Sequence, residues 1–137
     1  MNATEHPPGL RLGAGYHSVN PYFVVEGVSE FIAFLTEVFD GREDTTYKEV
    51  LPDGRIDHAD VIIGDSRVMM SEGAEPRPTV AFVYVPNVDD VYQRGVSRGC
   101  HPRLEPTMQP WGDRVGGFTD PWDNRWWVAT AGTPDAK

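Results

Sequence analysis

Asn20-Pro21-Tyr22-Phe23-Val24-Val25-Glu26-Gly27-Val28-Ser29-Glu30 has a counterpart sixty residues on, Val80-Ala81-Phe82-Val83-Tyr84-Val85-Pro86-Asn87-Val88-Asp89-Asp90. In each, a short β-prone run gives way to a polar turn and then to a helical pattern. A second pair lies fifty-eight residues apart, Asp65-Ser66-Arg67-Val68-Met69 and Asp123-Asn124-Arg125-Trp126-Trp127. A period near sixty is longer than solenoid repeats, and only two copies exist. Two αβ modules sharing one curved sheet is the reading that fits.

Working outward from these pairs, Val19 to Val25 reads as a strand, with Pro21 confined to an edge or the start. Val28, Phe31, Ile32, Leu35, Val38 and Phe39 recur at spacings of three and four, one apolar face of a helix. Ser29 is a candidate N-cap, and Gly41 stands where a left-handed cap is wanted. Strands follow at Thr45–Val50, Ile56–Ile63 and Arg67–Met70, with turns at Pro52-Asp53-Gly54 and Gly64-Asp65. Residues 72–78 are a polar, proline-bearing connector. The order then begins again. A strand at Thr79–Val85 precedes a helix marked by Val88, Val91, Tyr92 and Val96, opened by Asn87 or Asp89 and closed near Gly99. Strands near Pro102–Glu105, Arg114–Thr119 and Arg125–Thr130 complete the second set. The expected organisation is an N-terminal arm (1–16), one domain of two modules (17–131, divided at about 17–72 and 79–131) and a tail (132–137).

The chain of 137 residues is 39% hydrophobic and 24% charged, a globular composition. No apolar run is long enough to span a membrane, and the N-terminus lacks the basic start and apolar core of a secretory signal. One cysteine, Cys100, excludes an internal disulfide, which makes cytoplasmic residence the expectation. Twenty-one acidic against twelve basic residues give a net charge of −9, which repels nucleic acid and draws cationic ligands.

Strand, helix and three strands, twice over, is the element order of the vicinal oxygen chelate fold. Tyr22-Phe23-Val24-Val25-Glu26-Gly27-Val28 resembles its module opening, and His58-Ala59-Asp60-Val61-Ile62-Ile63-Gly64-Asp65-Ser66 its second hairpin. Gly112-Asp113-Arg114, followed by Asp120-Pro121-Trp122-Asp123-Asn124-Arg125-Trp126, resembles the closing segment of the glyoxalase and bleomycin-resistance branch. The resemblance implies an α+β fold of two βαβββ modules forming a curved mixed sheet with a concave cleft, usually with two chains completing two clefts. In metal-using relatives each module supplies one ligand from its first strand and one from its last. The matching positions here are Asn20 and Met69, then Val80 and Trp127. Val and Trp carry no ligand atom, and hard divalent metals want imidazole or carboxylate, so no metal and no other cofactor is expected. His58 with a neighbouring carboxylate is the alternative, a relocated metal site, and a bulge is expected to be needed to bring His58 and Asp60 to one face.

Four tryptophans, Trp111, Trp122, Trp126 and Trp127, fall within seventeen residues. Adjacent strand residues face opposite ways, so Trp126 and Trp127 divide between core and cleft. The repeat puts Trp127 at an old ligand position, hence toward the cleft, with Trp111 at its rim. By alternation Asn20 and Tyr22 share one face, and Phe82 and Tyr84 the equivalent one, with Met69 beside the first pair. Trp127, Trp111, Tyr22, Asn20, Met69, Tyr84 and Phe82 are therefore the expected ligand-binding residues, and no catalytic residue stands out. The reading is a metal-independent, homodimeric binding protein that sequesters an aromatic natural product or antibiotic. The alternative is a glyoxalase-like lyase, isomerase or dioxygenase with a displaced metal site.

Overall fold

The computed structural model describes residues 7–73, 75 and 77–132. The first six residues of the expected arm, residues 133–137 of the expected tail, and Ala74 and Pro76 of the connector lie outside the described residues. The element order is β1 (Tyr22–Val25), α1 (Val28–Phe39), β2 (Arg42–Val50), β3 (Ile56–Ile63), β4 (Ser66–Glu72), β5 (Val80–Tyr84), α2 (Val88–Ser97), β6 (His101–Met108), β7 (Arg114–Thr119) and β8 (Arg125–Thr130). This is βαβββ twice, an α+β fold. Sheet A has the order β1-β4-β3-β2 and sheet B the order β5-β8-β7-β6. In each, the first strand runs parallel to the last, and the remaining pairings are antiparallel.

The register makes the repeat concrete. Tyr22 is paired with Met69 in sheet A, and Phe82 with Trp127 in sheet B. These pairs are the two expected offsets, sixty for the first strand and fifty-eight for the last.

Helix α1 buries Val28, Phe31, Ile32, Leu35, Val38 and Phe39, as the spacing requires, and also Phe34. Phe34 is covered from the second module, by Trp122 at 5.6 Å. The helix termini differ from the local expectation. Ser29 makes no capping bond; the N-cap is Gly27 at φ 91°. The carboxylate of Glu72, at the end of β4, accepts from the Gly27 N–H at 2.5 Å and the Val28 N–H at 3.2 Å. A carboxylate at a helix N-terminus satisfies orphan donors and complements the dipole. At the other end Asp40, not Gly41, adopts the left-handed conformation, at φ 56°. Gly41 is needed for close approach: a Cβ there would lie 2.8 Å from Val61 Cγ1 and 2.9 Å from the Leu35 carbonyl. Helix α2 opens at Asn87, whose side chain accepts from the Asp90 N–H at 3.2 Å. The strands differ from expectation at their ends: β1 starts at Tyr22 and not Val19, while β2 and β6 are longer.

One core serves both modules. Trp126 on β8 stacks on Phe23 of β1 with centroids 5.2 Å apart, and meets Phe39 of α1 at 4.6 Å with the rings tilted by 38°. Phe39 also meets Phe118 of β7. A cavity of about 300 Å³ lies between Phe23, Ile63 and Val68 of one sheet and Ala81, Val83 and Trp126 of the other. The inner faces of the sheets thus oppose each other, with the helices between, and the outer faces point away from the shared core. The sheets exchange no ladder hydrogen bonds, so the described strands form two separate four-stranded mixed sheets.

The segment Asp120-Pro121-Trp122-Asp123-Asn124-Arg125-Trp126 locks this arrangement. The buried Asp120 carboxylate accepts from the Trp122 N–H (2.8 Å), the Asn124 N–H (2.9 Å), Asn124 Nδ2 (3.0 Å) and Trp126 Nε1 (2.8 Å). Asn124 Oδ1 in turn accepts from the Thr79 N–H at 2.9 Å. Burial raises the Asp120 carboxyl pKa above its ordinary value, against the opposing pull of these donors. Cys100 is buried, and desolvation pushes its thiol up to about 12.

Trp126→Ala should destabilise the fold by about 3–5 kcal/mol, measured by urea unfolding, because it empties a large buried volume. Trp127→Leu, on the half-buried outer side of the same strand, should cost less and leave the fold cooperative.

Candidate functional site

The outer faces carry the residues that the core does not use, and they differ in character. On sheet A, Tyr22, Met69, Asp60 and Asp44 form one row across the four strands. Asp60 is fully buried although it faces outward. Its Oδ2 accepts from the Tyr16 hydroxyl at 2.6 Å and from Arg67 at 3.1 Å, and its Oδ1 lies 2.9 Å from His58 Nε2. Arg67 also reaches Asp44 Oδ2 at 2.8 Å and the Gly15 carbonyl at 2.9 Å, and its guanidinium sits 4.7 Å above the Tyr16 ring. Burying this carboxylate is possible because every oxygen has a donor and Arg67 supplies the opposite charge. Hydrogen bonds from Thr46 and from Arg67 hold Asp44 well below the usual carboxylate range. Burial, together with the bond to Asp60, pushes Tyr16 up to about 12.

The arm therefore docks on sheet A through Gly15 and Tyr16. Gly15, at φ 84°, has no room for a Cβ, which would stand 2.6 Å from Arg67 Nη2. His58 and Asp60 share a face, which corrects the sequence expectation: residues two apart on a strand point the same way, and the register shift between the Asp44–Asp60 and Glu49–His58 pairs puts its extra residues on β2, not between His58 and Asp60. Sequence reasoning missed Tyr16, Arg67 and Asp44 altogether. The signal was an arginine and two aspartates on neighbouring strands, visible only once β2, β3 and β4 are in register.

Sheet B is aromatic on its outer face. Phe82 and Tyr84 are 48% and 60% exposed, with ring centroids 5.3 Å apart. Trp127 lies half-buried beside Phe82. Its ring lies across Gly117, where a Cβ would come within 2.7 Å of Cε3, and the Arg125 guanidinium stands 5.8 Å from it. Trp126 takes the core side, as alternation requires. Trp111, 61% exposed, donates from Nε1 to Asp113 Oδ2 at 3.1 Å, and the Tyr84 hydroxyl donates to the same oxygen at 2.7 Å.

The seven expected ligand residues are thus not gathered on one face of a chain. Phe82, Tyr84, Trp111 and Trp127 stand together on sheet B, and Tyr22 and Met69 belong to sheet A. Asn20 closes the turn before β1, its side chain accepting from the His17 N–H at 3.0 Å and donating to the His17 carbonyl at 2.7 Å.

A model of the Glyoxalase/Bleomycin resistance protein/Dioxygenase superfamily matches residues 17–128. The chain belongs to this superfamily. Uncharacterized protein Mb0911c of Mycobacterium bovis is 28% identical, with 80% of each chain covered. Among solved structures, TioX from Micromonospora sp. ML1 has a TM-score of 0.67 at 21% identity, covering 85% of this chain and 98% of that one. The fosfomycin resistance protein FosX from Listeria monocytogenes has a TM-score of 0.67 at 16% identity, covering 88% of this chain and 96% of its own. At these identities the two structures share the fold. FosX has also been solved with Mn(II) and sulfate.

The residues of this chain do not fit such a metal. Val80 and Trp127 offer no ligand atom, Met69 offers a soft thioether, and both ends of the Asn20 amide are engaged. His58 Nε2 faces a carboxylate already shared with Tyr16 and Arg67. Among the described residues no group of three or more His, Cys, Asp and Glu is placed to hold a metal ion.

Tyr16→Phe leaves the buried Asp60 one donor short and should cost about 1–3 kcal/mol in urea unfolding. The difference from the native protein should be constant below pH 10, the ordinary tyrosine value, and shrink as pH rises toward 12. In that interval the unfolded tyrosine ionises and the folded one does not, so stability is lost with rising pH.

Proposed function

We propose that this protein binds planar aromatic small molecules of natural-product or antibiotic type and acts by sequestering them, without a metal, as a cytoplasmic homodimer. The observation that carries the reading is the exposed aromatic face of sheet B, where Phe82, Tyr84 and Trp111 stand exposed beside the half-buried Trp127. Large exposed rings on a rigid strand give stacking area at small entropic cost. Where metal-using relatives present a ligand, Trp127 presents an indole instead.

The outer faces of one chain point apart, so a cleft is completed by a second copy. Sheet A of one protomer, with Tyr22 and Met69, faces sheet B of its partner, with Phe82 and Trp127. A twofold axis then makes two equivalent clefts. None of the described helices is long and apolar enough to cross a membrane. FosX, named as a fosfomycin resistance protein, supports a resistance role by kinship alone.

Titration with quinoxaline and bithiazole compounds, followed by tryptophan fluorescence, should give saturable quenching without turnover. Phe82→Ala or Trp127→Leu should weaken the binder about ten- to hundred-fold, the worth of a stacking contact plus its burial. Equal binding by both variants would contradict the site. Sedimentation equilibrium should give the mass of a dimer, and elemental analysis of protein purified without chelator should find far less than one divalent metal per chain. A strict monomer would contradict the shared cleft; about one metal per chain would contradict metal-free sequestration.

A further inference from the structure

The second module holds a carboxylate whose charge no basic residue answers among the described residues. Asp113 is only 5% exposed, yet the two rings whose polar edges meet it, Tyr84 and Trp111, are 60% and 61% exposed. Both rings donate to the same oxygen, Oδ2, at 2.7 Å and 3.1 Å. Oδ1 accepts no hydrogen bond from a described residue, and it is not one of the fully buried atoms without a hydrogen-bond partner, which are Glu43 Oε2 and Arg94 Nε. The adjacent Arg114 turns to Asp89 instead, with two contacts of 2.9 Å. The other buried outward carboxylate, Asp60, has Arg67, and the core carboxylate Asp120 has four donors. Asp113 alone of the three is left with two neutral donors on one oxygen and nothing on the other.

The rings at its edge offer electron-rich faces as well as donors. A cation brought against the face of Tyr84 or Trp111 meets the negative side of the ring quadrupole, and the carboxylate at the ring edge adds its own attraction. The Tyr84 hydroxyl is held protonated, its pKa raised by the bond to Asp113 and by burial, so it continues to donate and keeps the carboxylate in place. Gln109 N–H donates to the Asp113 carbonyl at 2.8 Å, and Gly112, at φ 103°, makes the turn that seats Trp111 beside the acid. The net charge of −9 adds a long-range field of the same sign.

We propose that Asp113 is the cation-binding residue of the sheet B face, and that the ligand class is a planar aromatic molecule bearing a positive charge, as a protonated amine or a quaternary nitrogen. This rests on the reading of sheet B as the ligand face. Phe82 and Trp127 supply stacking area, while Asp113, Tyr84 and Trp111 select charge.

The test uses two probes of nearly equal shape, N-methylacridinium (a permanent cation) and acridine (neutral at neutral pH), each titrated calorimetrically into the full-length protein. The cation should bind about tenfold more tightly than acridine, the size of one charge-assisted contact. Rising salt should erode that preference without affecting acridine. Asp113→Asn, which keeps an oxygen for Tyr84 and Trp111, should abolish the preference, so that N-methylacridinium binds no more tightly than acridine. If the native protein binds both probes equally, or if Asp113→Asn retains the preference, the inference is overturned and the aromatic face stands. If neither probe binds, both readings are overturned. Should Asp113→Asn unfold, the native protein's preference and its salt dependence decide the matter alone.

Discussion

Trp126 sits between two modules that share no backbone hydrogen bond among the described residues. Its ring stacks on Phe23 from the first strand, touches Phe39 from the first helix, and is fixed from behind by the Asp120 carboxylate. Stacking supplies the contact area, and the hydrogen bond to a buried acid fixes the ring in one orientation. Because this contact joins inner face to inner face, every outward side chain of the two sheets is turned away from the shared core. The division of labour in the molecule follows from that constraint. One outer face is occupied by the arm and a closed polar cluster, the other presents uncovered rings, and neither is a cleft by itself.

Much of the fold was legible because it is written in local periodicities. The three-and-four spacing of α1, the alternation along β5 and at Trp126–Trp127, and the turn residues at Pro52-Asp53-Gly54 each have a short-range cause, and the structure follows them. The doubled element order also survived from sequence to register, down to the Tyr22–Met69 and Phe82–Trp127 pairs. What local pattern misjudged were the helix ends. Glu72 caps α1 from more than forty residues away, and no scan of the preceding residues finds it. Asp40 takes the left-handed position because Gly41 is spent on close contact with Val61 and Leu35.

The site was legible as a list of residues and illegible as a place. Alternation assigned Trp127 and Trp126 to opposite sides, and it grouped Phe82 with Tyr84. It gave no information on which way the modules face one another, so residues of both outer faces were expected to line one concavity. The polar cluster around Asp60 was missed for a related reason: its members lie on three strands and the arm, and only their pairing brings them together. Asp113 stood in plain view in Gly112-Asp113-Arg114, yet its significance depends on Arg114 pairing elsewhere.

The central claim is that a ligand cleft forms between sheet A of one protomer and sheet B of another. Mixing two binding-deficient chains, one carrying Tyr22→Ala and the other Phe82→Ala, and measuring calorimetrically how many N-methylacridinium sites reappear tests it most directly. In a mixed dimer one cleft receives an intact sheet A and an intact sheet B, while the other receives both substitutions. The account predicts that mixing restores native affinity at one site per mixed dimer. No recovery at all, with mixed dimers shown to be present, would mean that each site is made within a single chain and would contradict it.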